Sequence, residues 1–585
     1  MEYITDGLPF PEFASVLPIT DRQSLCGLSD FETRSWTVAR ADEYRKFALV
    51  LLAIHNSIAA IHRFPNEILS HILADCWKDR NSLRIAHVCR RWRGALLATP
   101  EFWVDAVEGE YLYADGQYRD PPEYVATILN RSTPLPMRLD VVHFTRTLAE
   151  DLDSHLWRIT TLAIDVETSD EAIWLLDILR RGMPVLEKLV VQYEPKACDC
   201  SLEDRVWHET SLDVDPVPLN ALPRLRHAEL PACLMEKVAV PSLRRVRLYR
   251  DRMSDHDNPE ANMDNFLPAL ARCEGLASLE LVTALPDPGR EYGTTSPEEL
   301  AVTLPALQSF CIKDGLSQIS AIMTYLISPS IAHVRVQSNH YHYDSPLCGL
   351  TKWLRPTSLM NTVLAGVDCV AVTFRDCTVL QCYAEGDERL YIEYCIMGED
   401  FEALADALRT RATVTELRWT STKSYAHEEH GLCLLLCASQ HITSLVIRGA
   451  EAEAALNVLR PADGIAAQGL VCPCLKELTL GFLDFWYWMS QAQDGTLPPD
   501  EATRQLFMRC AQIQSAIGPR ASLFGSRLTY LEFDEKDDLC DDKRPFLIVS
   551  PDAIPPSINE SPLQALREVV DGPVIFSGFK RKGVY

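Results

Sequence analysis

An apolar triplet spaced x, x+3, x+5 recurs along most of this chain, and it limits what the chain can fold into. It appears as Ile159/Leu162/Ile164, Leu186/Leu189/Val191, Leu225/Ala228/Leu230 and Leu243/Val246/Leu248. It continues as Leu276/Leu279/Leu281, Leu307/Phe310/Ile312, Ile331/Val334/Val336 and Val367/Val370/Val372, and then as Val414/Leu417/Trp419, Ile442/Leu445/Ile447, Leu475/Leu478/Leu480 and Leu528/Leu531/Phe533. The last two members of each triplet are two apart, so they share one face of a strand, while the first falls in the incoming turn. Many copies begin just after a proline: Pro184, Pro223, Pro241, Pro305, Pro329 and Pro473. Between copies lie helix-forming segments such as DEAIWLLDILRRG, LSQISAIMTYLI and GEDFEALADALRTRA.

Strand, turn and helix recurring at irregular steps of very roughly 20 to 50 residues follow the logic of leucine-rich repeats, in which each unit hides its apolar side chains only by stacking on its neighbours. The Asn or Cys that regular repeats carry after the last Leu is missing. The expected architecture from 121 to 585 is therefore an irregular, leucine-rich-repeat-like α/β solenoid, closed by the helix and strand in PLQALREVVDG and PVIFSGF. An ordinary α/β domain with parallel strands is the alternative. In such a solenoid the strand residue between the two inward positions points to the concave face. That face then gathers Arg245, Arg247, His333, Arg335 and Arg418, a candidate basic patch for an acidic or phosphorylated segment of a protein substrate.

Upstream of the repeats the pattern changes. Residues 1–37 have no clear periodicity and read as a mobile leader; 38–60 are rich in helix formers and read as a lead-in helix. From Ile61 to Trp103 the sequence is IHRFPNEILSHILADCWKDRNSLRIAHVCRRWRGALLATPEFW. Pro65 fits a first helical turn and Glu67 suits its positive end. Ile68, Leu69, Ile72, Leu73 and Cys76 make one broad apolar stripe. Asn81 or Ser82 can cap a following helix, with one row through Leu83, Ala86 and Cys89 and another through Val88, Trp92 and Leu96. So small a unit has little interior in which to hide both stripes, so part of this surface is expected to face a partner. Between 62 and 93, Arg63, Lys78, Arg80, Arg84, Arg90, Arg91 and Arg93 outnumber Glu67, Asp75 and Asp79, a local positive balance suited to an acidic partner. Residues 108–120 read as a polar connector.

FPNEILSHIL followed by SLRIAHVCRRWR resembles the F-box motif. The one departure is Phe64, where Leu is usual before Pro65. The trailing TPEFW and the lead-in helix are similar to the F-box-like proteins abundant in mushroom-forming fungi. The resemblance implies an α+β chain, a small helical F-box followed by the repeat region. It implies docking on the Skp adaptor of a cullin-type ubiquitin ligase, with Phe64, Pro65, Ile68, Leu69, Ile72, Leu83, Val88 and Trp92 as contact or contact-shaping positions. It also implies a receptor with no catalytic site of its own.

Composition narrows the function classes. The net charge of -26 opposes non-specific binding to nucleic acid or to an anionic membrane. The opening residues have neither a basic n-region nor an apolar core, so no secretory signal is expected. Nineteen cysteines then point to reduced thiols in cytosol or nucleus. Cys198-x-Cys200 and Cys472-x-Cys474 are too closely spaced for the usual zinc half-site, and His427 and His430 lack the spacing of a zinc-protease helix. His340 and His342 carry no ligand signature. No phosphate-cradling glycine loop or nucleophile elbow is present. Neither metal nor cofactor is expected. A substrate receptor leads; a repeat scaffold whose F-box-like helices only cap the array is the rival, and an enzyme hidden in the array is third.

Overall fold

The computed structural model describes residues 11–77, 80–104, 122–141, 144–166, 168–193, 214–249, 263–285, 301–338, 350–353, 359–374, 377–394, 396, 398–421, 426–449, 451–461, 470–482, 499–525, 527–534, 566–567 and 569–577. The 108–120 connector, Cys198, Cys200, His340, His342 and the acidic stretch that follows Asp534 lie outside them. The chain contains both helices and strands and divides into two compact units, 1–140 and 141–585. The division falls beyond the expected boundary at 120. Helix Pro122–Arg131 packs on Pro100–Val104 within the first unit, where Arg131 lies over the Trp103 ring at 5.2 Å.

In the first unit the described part of the stretch expected to be a mobile leader is helical, with helices Pro11–Ala14 and Ile19–Leu25; residues 1–10 of it lie outside the described residues. The lead-in helix is longer than expected, Asp30–Ile58. Ser29 and Glu32 form a reciprocal capping box that starts it, satisfying two backbone donors that a helix start leaves open. Asp21 anchors the preceding helix to it, with an ion pair to Arg40 at 2.7 Å and a hydrogen bond from the Tyr44 hydroxyl. These bonds hold the Asp21 carboxyl below the usual carboxylate range.

The second unit carries strands β1 (Ile159–Val166), β2 (Lys188–Tyr193), β3 (His227–Pro231), β4 (Arg245–Tyr249), β5 (Ser278–Val282), β6 (Ser309–Asp314), β7 (His333–Ser338), β8 (Cys369–Phe374), β9 (Thr378–Ala384), β10 (Asp387–Tyr394), β11 (Glu416–Ser421), β12 (Ser444–Arg448), β13 (Glu477–Gly481), β14 (Tyr530–Asp534) and β15 (Val574–Ser577). They stand in one sheet in the order β1-β2-β3-β4-β5-β6-β7-β10-β9-β8-β11-β12-β13-β14-β15. Every pairing is parallel except the two that β9 makes.

The triplets explain this order. Their middle members meet across the strands: Leu162 opposite Leu189, Ala228 opposite Val246, Leu279 opposite Phe310, Leu417 opposite Leu445, Leu478 opposite Leu531. Their last members do the same, as with Ile312 and Val336 or Trp419 and Ile447. No triplet side chain is more than 4% exposed, so the whole pattern is core. A fourth member, three residues before many of the triplets, escapes the sequence reading. Met183, Leu222, Val240, Cys273, Leu304 and Cys472 are all buried, and the carbonyl of each accepts the N–H of the first triplet residue at 2.9–3.3 Å. That is a β-turn, and the recurrent proline occupies its second position, where a fixed φ is favoured. The same turn accounts for Cys273 and Cys472, whose thiols burial pushes up to about 12.

The helices form between the strands as expected, for example Ser169–Arg181, Leu316–Tyr325 and Gly398–Arg411. Thr168 caps the first of these by accepting the Glu171 N–H at 3.3 Å. Successive helices pack on one another, Gly398–Arg411 on Ala426–Ala438 and that on Ala452–Leu459. Close packing also selects residues without side chains. A Cβ on Gly449, at φ +127, would sit 2.2 Å from the Ser421 carbonyl oxygen.

The unassigned stretch after Phe374 is an antiparallel hairpin. β9 and β10 are joined by Glu385-Gly386, both at positive φ, 55° and 88°. A two-residue turn of this hand matches the twist of the strands it connects. Leu380, Cys382, Leu390 and Ile392 carry the buried rows across the insertion without a break.

Truncating one triplet residue is expected to cost far more than truncating its neighbour on the opposite face. Leu445→Ala should lower unfolding stability by about 2–5 kcal/mol, and Val446→Ala by less than about 1 kcal/mol, measured by denaturant titration. Equal losses would mean the row is not the core.

Candidate functional site

The F-box-like stretch folds as helix Asn66–Ala74, a 3₁₀ helix Arg80–His87, helix Arg90–Leu97 and helix Pro100–Val104. Pro65 stands one place before the first helix and caps it, its carbonyl accepting the Leu69 N–H at 3.1 Å. The expected second helix is broken in two. Its first part already contains Asn81 and Ser82, so neither precedes it as a cap. It ends before Cys89, whose extended backbone and thiol, accepting the Trp92 N–H at 3.4 Å, start the next helix.

The broad stripe of the first helix divides by one residue. Leu69 and Leu73 are fully buried, with Leu96, Phe102 and Trp103 in the same core. Trp77 meets the Phe102 ring edge-on at 5.2 Å, and the Trp103 indole donates to the Leu96 carbonyl at 2.9 Å. Ile68 and Ile72 are 46% and 38% exposed; Phe64 is 43% and Val88 53%, and Pro65 is exposed beside them. Leu83 and Trp92 are half-buried. Leu69 is thus a core residue, which leaves it the contact-shaping part of its expected role and not direct contact. This follows from helix geometry: a 100° step per residue turns Leu69 inward where Ile68 faces out.

The basic residues divide in the same way. The Arg91 guanidinium donates to Asn66 Oδ1 at 3.1 Å and to the Phe64 carbonyl, fixing the chain entry. Arg93 donates to the Ala86 carbonyl at 3.0 Å. Both are held in structural bonds to neutral acceptors, so they keep their positive charge while their positions are fixed.

In the second unit, Arg247, Arg335 and Arg418 lie on one row of the sheet face opposite the buried triplets, in register with Glu229, Glu280, Cys311, Tyr391, Gln381 and Ala371. Arg245 and His333 lie on the adjacent row. The face is a mixed-charge ladder, not the expected block of cations. Arg247 sits between Glu229 at 3.2 Å and Glu280 at 3.3 Å, and Arg418 bonds Glu416 at 2.6 Å. These exposed pairs offset charge with little effect on stability. The Arg335 guanidinium stacks on the Tyr391 ring at 4.2 Å. Tyr391 in turn donates to Glu393 at 2.9 Å, and Gln337 donates to the same oxygen at 2.8 Å, holding that carboxyl below its usual range. His333 Nδ1 lies 2.6 Å from the Glu388 carbonyl oxygen.

Tyr391, Gln381 and Tyr383 come from the hairpin, which sequence reasoning missed. The signal was available: strict alternation on both sides of Glu385-Gly386. Arg and Tyr are the side chains that most often anchor protein interfaces, and here the insertion brings them together at the middle of the sheet.

Glu428, Glu451 and Ser421 form a buried polar group, each 1–2% exposed, with Ser421 donating to Glu428 at 2.7 Å. Burial, reinforced by the neighbouring Glu428 charge, pushes the Glu451 carboxyl up to about 7. Among the described residues no cluster of His, Cys, Asp or Glu could hold a metal ion, and no helix is long and apolar enough to cross a membrane. No protein-family model matches the chain, and no curated protein matches it.

Glu451 gives a pH signature. Its folded value stands above the unfolded one, so the unfolded chain loses this proton first and stability falls from about pH 4.5 to 7. Glu451→Gln should therefore stabilise the chain at pH 8, by up to about 3 kcal/mol, and the gain should fade by pH 5. Thermal melts at both values check this; an equal gain at both would contradict it.

Proposed function

We propose that this chain is the substrate-binding subunit of a cullin-type ubiquitin ligase. Its helices from Ile61 to Trp103 dock on the Skp adaptor, which links it to a cullin. The region 121–585 is an irregular leucine-rich-repeat-like solenoid that binds a protein substrate. The chain supplies no catalytic group, metal or cofactor and works by holding the substrate close to the ubiquitin-charged partner, in cytosol or nucleus.

The observation that carries this reading is the one-residue division of the first F-box-like helix. Leu69 and Leu73 satisfy the core, yet Phe64, Pro65, Ile68, Ile72 and Val88 remain outside it. Apolar surface kept in water beside a complete core fits a docking face. These are also positions the F-box resemblance assigns to the adaptor. In the second unit, sequential parallel strands on either side of the hairpin, with continuous buried rows, support the solenoid reading over an ordinary α/β domain. Its open face offers Arg335 and Tyr391 as anchors; Arg247 and Arg418 already have carboxylate partners there.

Co-expression with the Skp adaptor tests the reading. Wild type should co-purify with it. Ile68→Asp/Val88→Asp should reduce recovery at least about tenfold, the loss expected for a hot spot worth 1.4 kcal/mol or more, with an unchanged melting temperature. A wild-type chain that never recruits the adaptor would overturn the proposal and leave the scaffold reading.

A further inference from the structure

The row of the open face beside the mixed-charge ladder carries a different pattern. It is made by the first residues of six strands, β2 to β7: Lys188, His227, Arg245, Ser278, Ser309 and His333, in register from each strand to the next. None of them is acidic. The cation and imidazole positions are exposed, and the two serines half-buried. Two residues beyond Arg245, Arg247 has Glu229 and Glu280 on either side; Arg245 has His227 and Ser278. Among the described residues neither Lys188 nor Arg245 has an ion-pair partner, and the Ser278 and Ser309 hydroxyls have no hydrogen-bond partner. Desolvation holds the His227 imidazole below its usual range, and the charges of Arg245, Lys188 and Arg226 push it further down, with Glu187 opposing. Past His333 the row continues to Arg389, one residue before Leu390, which lies opposite Val334. Its Nε is buried without an acceptor among the described residues.

Like charges on facing strands cost stability. The adjacent row relieves that cost by setting carboxylates between cations; this row does not. Between Leu222 and Tyr249 six lysines and arginines stand against two glutamates, in a chain of net charge -26. We propose that this row binds an extended acidic segment of another protein, laid across the strands. Its carboxylates accept from Lys188 and Arg245, and from the serine hydroxyls between Arg245 and His333. Such charge-assisted bonds are about twice as strong as neutral ones. The five strand steps span about 24 Å, the length of roughly seven extended residues. Alternate residues of the segment face the sheet about 6.8 Å apart, and the long Lys and Arg side chains take up the difference from the strand spacing. A protein segment fits better than a nucleic acid. The long-range field of so acidic a chain repels a polyanion, and the row from Lys188 to His333 has no Phe, Tyr or Trp on which a base would stack. That the segment belongs to a ubiquitination substrate rests on the receptor reading above; the binding itself does not.

Fluorescence anisotropy of a fluorescein-labelled peptide of alternating glutamate and serine, titrated with the full chain, tests this. The wild type should bind the peptide, and more weakly as salt rises from roughly 50 to 300 mM. Lys188→Ala/Arg245→Ala should weaken binding at least about tenfold with an unchanged melting temperature, since both side chains are exposed. Arg460→Ala/Arg527→Ala, which removes two cations elsewhere in the second unit, should bind as the wild type does. A wild type that does not bind, equal binding of the same peptide with glutamine for glutamate, or equal weakening by the two double variants would each overturn the proposal. So would a single-stranded RNA bound more tightly than the peptide through Lys188 and Arg245, which would assign the row to RNA. A chain that binds the peptide through these residues but never recruits the adaptor upholds the row and overturns only the receptor reading.

Discussion

A single strand–turn–helix unit of this chain covers only part of its apolar triplet with its helix; the triplets of the strands on either side cover the rest. The order of the sheet follows from that constraint. Each strand takes its place beside the strand that offers a matching row, so chain order becomes sheet order except across the hairpin, where β10, β9 and β8 stand reversed. Where they occur, the proline turns set the entry of the strand, and the buried residue three positions before the triplet closes the turn from inside. The rows continue through the antiparallel hairpin, because Leu380 and Cys382 on the reversed β9 and Leu390 and Ile392 on β10 supply the same apolar contacts. The opposite sheet face is left with half-exposed polar and aromatic residues.

The first unit applies the opposite logic to similar residues. There a small core is completed by Leu69, Leu73, Leu96, Phe102 and Trp103, and the remaining apolar residues have no inward place to go. Arg91 ties the end of the stretch back to its beginning, so Phe64 and Pro65 are presented at a fixed position beside Ile68 and Ile72. The proposed receptor reading joins these two solutions: one unit with surplus apolar surface for an adaptor, the other with a polar ladder anchored by Arg335 and Tyr391 for a substrate.

Much of the second unit was legible because its signal is redundant. Each triplet is weak alone, but their common spacing predicts which residues are buried and which share the open face. Two things were hidden. The hairpin breaks the period, and a search for the x, x+3, x+5 spacing passes over strict alternation. The ion pairs of Arg247 and Arg418 depend on which strand lies beside which, so a list of outward residues shows cations without their carboxylates. In the first unit the helical stripe was legible but its division was not, since Ile68 and Leu69 differ only by a 100° turn against a core that sequence spacing does not locate. The capping box at Ser29 and Glu32 is readable from its spacing, although no apolar periodicity surrounds it.

The central claim is that each unit is stable only through its neighbours. Native-state hydrogen exchange on the chain carrying Leu445→Ala tests it most directly, because it reads protection strand by strand. The account predicts that protection falls in Ser444–Arg448 and also in the adjacent strands Glu416–Ser421 and Glu477–Gly481, fading with distance along the sheet. Protection lost in Ser444–Arg448 alone, with both neighbours unchanged, would contradict it.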